Sequence, residues 1–210
     1  MTGLIITGTD TGIGKTVVSA MLTLGLDGIY YKPVQSGLED GSDRAAVLAM
    51  TGLGEDRALG EAYRLSQPLS PHRAAELDGV TINPADLTPP ACKRTLIVEG
   101  AGGLLVPITR ELLQVDLFKT WELPVVLCTR TTLGTINHTL LSVEALKARG
   151  LPLLGIVFVG DENADNERTI LDFSGAHRLG RLPHLDALTP ANLKAAFDTH
   201  FCQSDFEGTP

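Results

Sequence analysis

Gly8-Thr9-Asp10-Thr11-Gly12-Ile13-Gly14-Lys15-Thr16 is the stretch on which the fold turns. It follows the apolar run Leu4-Ile5-Ile6 and leads into Val17-Val18-Ser19-Ala20-Met21-Leu22, which reads as helix. A strand, a glycine-rich turn ending in Gly-Lys-Thr and a helix make the architecture of a phosphate-binding loop. Successive backbone N–H groups and the positive end of a helix dipole converge there on one anion, and glycine lets the backbone approach it. Lys15 adds a mobile positive charge for the outer phosphates, and the Thr16 hydroxyl sits where a magnesium ion needs an oxygen ligand. The spacing departs from the usual pattern. Gly8 and Gly14 enclose five residues where the pattern has four, and Thr9 stands where the first glycine belongs. A glycine turn that merely caps a helix explains Gly12 or Gly14 but not Lys15-Thr16 beside them.

Working outward, the first helix is expected from about Gly14 to Leu26, with Val18, Met21, Leu22 and Leu24 on its buried side. After the short link Asp27-Gly28, the run Ile29 to Val34 reads as the second strand, ending or fraying at Pro33, which has no N–H for a sheet ladder. Ser42 is placed to cap a helix from Asp43 to Met50 that stops at Gly52. Between Gly54 and Arg94 the signals weaken; Ser70-Pro71-His72 resembles a helix start. Thr95 to Val98 is a short apolar strand of the kind buried on both faces. A helix over Leu113 to Trp121, a strand over Pro124 to Cys128 and a helix over Thr135 to Ala148 follow. Then come a strand over Leu153 to Val159, a helix around Asn166 to Phe173, a short run at Arg181-Leu182-Pro183 and a helix from Pro190 to Phe201. The polar tail 202–210 is expected to fray. Strands alternating with helices at this spacing imply an α/β fold: a doubly wound, mainly parallel sheet in one domain spanning 1–210.

The chain has 210 residues, 43% hydrophobic and 20% charged, the balance of an ordinary globular protein. No apolar run approaches membrane-spanning length, and the start at Met1-Thr2-Gly3 leaves no room for a signal peptide, so no membrane partner and a cytoplasmic location are expected. Cys92, Cys128 and Cys202 are too few and too scattered for a disulfide framework or a zinc site. The formal net charge of −8, with no basic run, argues against nucleic acid as a partner.

In doubly wound sheets ligands sit beyond the carboxyl ends of the strands. The polar, glycine-rich segments Gly8–Thr16, Lys32–Gly37, Glu99–Gly103 and Thr129–Asn137 all fall at such ends, so they converge on one site. Glu99 follows four apolar residues, a poor place for a charge unless a magnesium ion pairs with it; the alternative is a strand-end carboxylate facing water. Asp43 is a second candidate ligand, or an acid in the first turn of a helix. Lys32, between Tyr31 and Pro33, is a second lysine fit for phosphoryl transfer, where catalysis is mostly positioning and charge stabilisation, although a strand-end lysine alone is more often solvated. Ser36-Gly37 offers a hydroxyl and open amides, and Gly134-Thr135 offers N–H groups at a helix start suited to a carboxylate. His72 and His138 read better as structural histidines.

Five motifs in order, Gly8 to Thr16, Tyr31-Lys32-Pro33-Val34-Gln35-Ser36-Gly37, Ser70-Pro71-His72, Val98-Glu99-Gly100-Ala101-Gly102-Gly103 and Leu133-Gly134-Thr135-Ile136-Asn137-His138, make the chain resemble the dethiobiotin synthetases. These are ATP-dependent ligases of biotin synthesis, and the extra residue in the loop is a feature of the family. The resemblance implies ring closure on 7,8-diaminononanoate with CO2 or bicarbonate through a carbamate and a carbamic-phosphoric anhydride, with ADP and phosphate released. It implies catalytic roles for Lys15, Lys32 and Thr11, and a Mg2+ ion at Thr16, Asp43 and Glu99. Nucleotide-binding positions are implied at Thr11, Gly12, Ile13, Gly14, Lys15, Thr16 and Val17, at Asp43, Glu99, Gly100, Ala101 and Gly102, and at Gly160 and Pro183. Thr11, Lys32 and Ser36 would face the carbamate end. Family members are homodimers, and Gly134, Thr135 and Asn137 match the helix start that holds the substrate carboxylate across the interface.

The match weakens downstream. Family members read adenine with an asparagine just after the strand matching Gly155–Val159, whereas Val159-Gly160-Asp161-Glu162-Asn163 has valine or glycine there. Asn163 is the nearest substitute, and Leu182-Pro183-His184 is expected to line the base pocket through its backbone. Two rival readings fit less well. A partitioning-type switch ATPase carries an additional lysine near the loop's start, where Thr9-Asp10-Thr11 has none; a corrin-amidating synthetase needs a glutaminase portion for which 210 residues leave no room.

Overall fold

The computed structural model describes residues 3–206. The first half of the chain contains β1 (Gly3–Gly8), α1 (Lys15–Gly25), β2 (Ile29–Tyr31), β3 (Val34–Ser36), α2 (Asp43–Thr51), β4 (Tyr63–Leu65), α3 (Pro71–Asp78) and β5 (Leu96–Gly103). The second half adds α4 (Gln114–Trp121), β6 (Val125–Arg130), α5 (Thr135–Ala148), β7 (Leu153–Val159), α6 (Ala164–Ser174), β8 (Arg178–Leu182) and α7 (Pro190–His200). Six strands form the main sheet in the order β2-β5-β1-β6-β7-β8, every neighbouring pair parallel. β1 lies at the centre, so the loop that follows it opens at the middle of the sheet's carboxyl edge.

Side chains alternate across the sheet with the period of two that strand geometry imposes. Leu4 and Ile6 of β1, with Val126 and Cys128 of β6, pack against Val18, Met21 and Leu22 of α1, Val47 of α2 and Leu193 and Phe197 of α7. Ile5 and Val98 turn the other way, onto Val115, Phe118 and Trp121 of α4. On that same face Leu127, Ile156 and Phe158 meet Val143 of α5 and Ile170 of α6. Helices on both faces of a parallel sheet are the doubly wound arrangement expected from the sequence. Ser42 caps α2 by accepting a hydrogen bond from the Ala45 amide at 3.2 Å. Ser70 sits at the N-cap of α3 but makes no capping bond; its hydroxyl lies 3.0 Å from His72 Nδ1 instead.

Two expectations need correction. The strand expected from Ile29, ending or fraying at Pro33, does break there, but Val34 opens a second strand: β2 pairs with β5 in the main sheet, and β3 leaves it to pair with β4. Pro33 explains the break, since it cannot donate to the ladder and its carbonyl instead accepts from the Tyr63 amide at 3.0 Å. β4 itself carried too short an apolar signal to be read. The tail expected to fray from Cys202 forms a 3-10 turn over Gln203–Phe206, because Phe206 buries its ring against Phe197 and Phe201. Residues 207–210 of that tail lie outside the described residues.

Candidate active site

The loop after β1 is shaped by its glycines and pinned from several sides. Gly12 and Gly14 have φ of 69° and 97°, the left-handed region that other residues enter at a cost. A Cβ on Gly14 would also come within 3.0 Å of Val159 Cγ1, so the loop packs against the end of β7 with no space for a side chain. Ile13 turns inward and is buried. Lys15 is buried as well, and its ammonium donates to the Asp10 carbonyl at 2.8 Å, spanning the loop. Burial lowers the Lys15 pKa from its ordinary value, against the opposing pull of Glu99. From the end of β6, Arg130 Nη2 donates to the carbonyls of Thr11 and Gly12, both at 3.2 Å.

Beside Lys15, residues from α1, α2, β2, β3 and β5 meet Lys32 of the link after β2. The Thr16 hydroxyl lies 3.1 Å from Asp43 Oδ1 and 2.9 Å from Glu99 Oε1. The Lys32 ammonium pairs with Asp43 Oδ2 and lies 3.2 Å from Glu99 Oε1. Glu99, only 1% exposed, is held on its other oxygen by the buried Tyr30 hydroxyl, which donates to Oε2 at 3.0 Å. Asp43 is oriented through its own amide, which donates to Gln35 Oε1 at 3.0 Å. Burial acting alone would depress the Lys32 pKa, but the Glu99 and Asp43 carboxylates outweigh it and hold the ammonium charged above the ordinary lysine value. Desolvation and the same carboxylates push the Tyr30 phenol well above its usual pKa, so it remains a donor.

Two cavities flank the loop. One, about 570 Å³, runs from Gly12, Gly14 and Val17 past Arg130 and Thr131 to Gly160, Asp161, Pro183 and His184. The other, about 310 Å³, lies on the opposite side between Asp10, Thr11, the turn Gly103–Val106 at the end of β5, and His138, Leu141 and Ser142 of α5. Phosphates on the loop would therefore have a roomy cleft on one side and a smaller, partly apolar one on the other.

Of the residues singled out from the sequence, Thr16, Lys32, Asp43 and Glu99 come together in one hydrogen-bonded cluster, with Lys15 beside it. Gly12, Ile13, Gly14, Val17, Gly160 and Pro183 line the large cleft, and Thr11 lines the smaller cavity. Ser36 lines neither cavity, and its buried hydroxyl has no hydrogen-bond partner among the described residues. Gly100 and Ala101 face α4: a Cβ on Gly100 would strike Phe118 and Gln114, and the Ala101 amide donates to Gln114 Oε1 at 2.6 Å. Only Gly102 of that trio turns toward Thr11. Gly134, Thr135 and Asn137 line neither cavity. The Thr135 hydroxyl is turned inward, within 2.7 Å of Thr129 Oγ1 and donating to the Arg130 carbonyl at 2.6 Å.

Asn163 borders the large cleft, but its carboxamide is committed: Oδ1 caps α6 through the Asn166 amide and Nδ2 reaches the Thr131 carbonyl at 3.3 Å. It is not free to read a base in this arrangement. Tyr30, Gln35, Gln114 and Arg130 were missed from the sequence. Gln35 stood inside a recognised motif, and Tyr30 and Arg130 carried only the faint signal of a polar group at a strand end.

A family described as an AAA domain matches residues 2–192. The chain is 60% identical to an ATP-dependent dethiobiotin synthetase of Rhodopseudomonas palustris strain BisB5, over 98% of this chain and 97% of that protein. Its identity to the proteins of the same name from Nitrobacter hamburgensis and Agrobacterium fabrum is 57% and 55%, each over 98% of this chain and 97% of the relative. Among solved structures, the Mg-ADP complex of the septum site-determining protein MinD from Pyrococcus horikoshii matches with a TM-score of 0.54 at 13% identity, over 94% of this chain and 95% of that one. A ParA family ATPase from Chlorobium tepidum matches with a TM-score of 0.51 at 13% identity, over 94% and 90%. At such identity the likeness shows the fold alone.

Proposed function

The chain belongs to the ATP-dependent dethiobiotin synthetase family, and from that premise we propose how its residues carry out the ring closure. The substrates are ATP, CO2 and 7,8-diaminononanoate. One amine of the diamine takes up CO2 and loses a proton, giving a carbamate. A carbamate oxygen attacks the γ-phosphorus as the bond to ADP breaks. The second amine then attacks the carbonyl carbon of the mixed anhydride, and phosphate leaves with the ureido ring closed. The substrate supplies both nucleophiles, so no serine or cysteine nucleophile is needed.

The observation that carries this reading is the Lys32 ammonium held between Asp43 and Glu99, with the Thr16 hydroxyl on the same two carboxylates, at the mouth of the phosphate loop. Phosphoryl transfer asks the protein for placement and for charge where the transferring group gathers it. Lys15 and Lys32 supply the positive charge. Thr11 and the unpartnered Ser36 hydroxyl supply hydrogen bonds toward the carbamate end. Thr16, Asp43 and Glu99 are hard oxygen donors gathered at hydrogen-bonding distance, the donor set magnesium prefers, and they would hold the ion. Bound there, Mg2+ supplies neutralisation of charge on the outer phosphates. The nucleoside end occupies the cleft bounded by Gly160 and Pro183.

Gly134 and Asn137 are exposed at the start of α5, near the fully exposed Leu133 and, further along, Leu141; Leu105 stands beside the smaller cavity. An apolar rim of this kind suits a homodimer in which the helix start of one protomer receives the substrate carboxylate lying in the other. A cytoplasmic location suits the demand for ATP. Among the described residues no helix is long and apolar enough to cross a membrane. The test is phosphate release and cyclic urea formation with diaminononanoate, bicarbonate, Mg2+ and ATP. ATP turnover indifferent to the diamine would remove the ligase reading, and a monomer at micromolar concentration would remove the shared site.

A further inference from the structure

Arg130 closes β6 at the seam between the phosphate loop and the large cleft. Its Nη2 donates to the carbonyls of Thr11 and Gly12 at 3.2 Å each, across 119 and 118 residues of sequence. In a trans peptide the C=O and the following N–H point in opposite directions. Holding the Thr11 and Gly12 carbonyls toward Arg130 therefore aims the N–H groups of Gly12 and Ile13 away from the guanidinium. Gly12, at φ of 69°, is free to rotate into other conformations, so nothing in its own chemistry fixes those planes. Asp10 takes up the other side: its side chain accepts from the Thr11 amide at 2.7 Å and its carbonyl accepts from Lys15. Arg130 is thus a strut that comes from outside the loop, one nitrogen of its guanidinium serving both carbonyls.

We propose that Arg130 is a positioning residue of the nucleotide site, orienting the Thr11–Gly12 and Gly12–Ile13 peptide planes so that their N–H groups face the phosphates; the inference rests on reading this loop as the ATP site. Pre-orienting the donors removes an ordering cost that each binding event would otherwise carry, so its loss appears as weaker nucleotide binding. The test compares wild type, Arg130→Met and Arg130→Lys with a fluorescent ADP analogue and Mg2+, by equilibrium titration and stopped-flow release. Arg130→Met is expected to bind about tenfold more weakly, mainly through faster release, with KM for ATP rising by more than kcat falls. Arg130→Lys, which keeps the charge and one hydrogen bond, recovers part of the loss. A purely structural role would instead lower the thermal midpoint and leave release unchanged. Arg130→Met with affinity and release rate within about twofold of wild type overturns the proposal. Failure of the wild type itself to bind the analogue overturns the reading of the loop on which the proposal stands.

Discussion

Replacing Lys32 by alanine tests the site and the physics that holds it together in one experiment. Lys32 is 7% exposed, its ammonium sits between Asp43 and Glu99, and Glu99 itself is 1% exposed. Without the ammonium, the buried Glu99 carboxylate keeps the hydroxyls of Tyr30 and Thr16 as hydrogen-bond donors among the described residues, with the Lys15 charge nearby but not hydrogen-bonded to it. Breaking a buried pair by removing one partner costs about 3–5 kcal/mol, and the lower end applies because Asp43 is partly open to solvent. For a chain of this size about 3 kcal/mol corresponds to a fall of roughly 6–12 °C in the thermal midpoint. Turnover loses more than binding does. Hydrogen bonds to charged groups are worth about 1.5–3 kcal/mol, so a loss of about 2 kcal/mol at the transferring phosphoryl group lowers kcat by roughly 30-fold. Adding Glu99→Gln separates the two effects, because it removes the uncompensated charge without restoring a cation. The double variant is expected to regain most of the lost midpoint and to remain inactive, a coupling that adjacent residues of one network should display. The pH sign is also fixed. A lysine whose folded pKa is raised stabilises fully below its ordinary value of 10.5 and loses that contribution only above it, so the midpoint gap stays flat between about pH 6 and 9. The reasoning is refuted if Lys32→Ala turns over near the wild-type rate, or if its lowered midpoint is not relieved by Glu99→Gln.

Three further outcomes follow from the same geometry. Tyr30→Phe removes only the hydroxyl that donates to Glu99 Oε2, and should lower stability by about 2 kcal/mol and raise the Mg2+ concentration needed for half-maximal activity; denaturant melts and a Mg2+ titration check it, and an unchanged Mg2+ requirement would show that Glu99 needs no such support. Gly14→Ala places a Cβ within 3.0 Å of Val159 Cγ1 at φ of 97°, so nucleotide binding measured by calorimetry should weaken by at least tenfold, about 1.4 kcal/mol, while the fold persists by circular dichroism. Cys128, fully buried with its thiol pushed up to about 12, should resist a disulfide reagent at pH 8 until the protein unfolds, while exposed Cys202 reacts at once; rapid labelling of Cys128 in the folded protein would contradict its placement.

Local pattern carried most of the architecture. The boundaries expected for α1, α4, α5 and α7 agree with the structure to within a residue or two because caps and breakers are short-range chemistry: Gly14 and Gly134 take left-handed φ at two helix starts, and Pro190 stands in the first turn of α7. The strand at Ile29–Val34 failed as one element because its apolar run says nothing of which strand each half will pair with. Phe206 was lost in a polar tail because burial of a lone ring depends on Phe197 and Phe201 being nearby.

The sequence by itself pointed to the glycine-rich loop, to the alternation of strand and helix, and to Lys15, Thr16, Lys32 and Glu99 within short motifs, with Asp43 picked out only by its place at a helix start. Only the tertiary structure decided how those residues meet. Thr16 and Glu99 are 83 positions apart and share a hydrogen bond because β1 and β5 are parallel neighbours that end at the same edge. The same parallel pairing, of β1 with β6, brings Arg130 against the loop, and the seating of Tyr30 beside Glu99 follows from β2 lying next to β5. A motif specifies which groups are present; strand order and burial specify which of them are left facing one another.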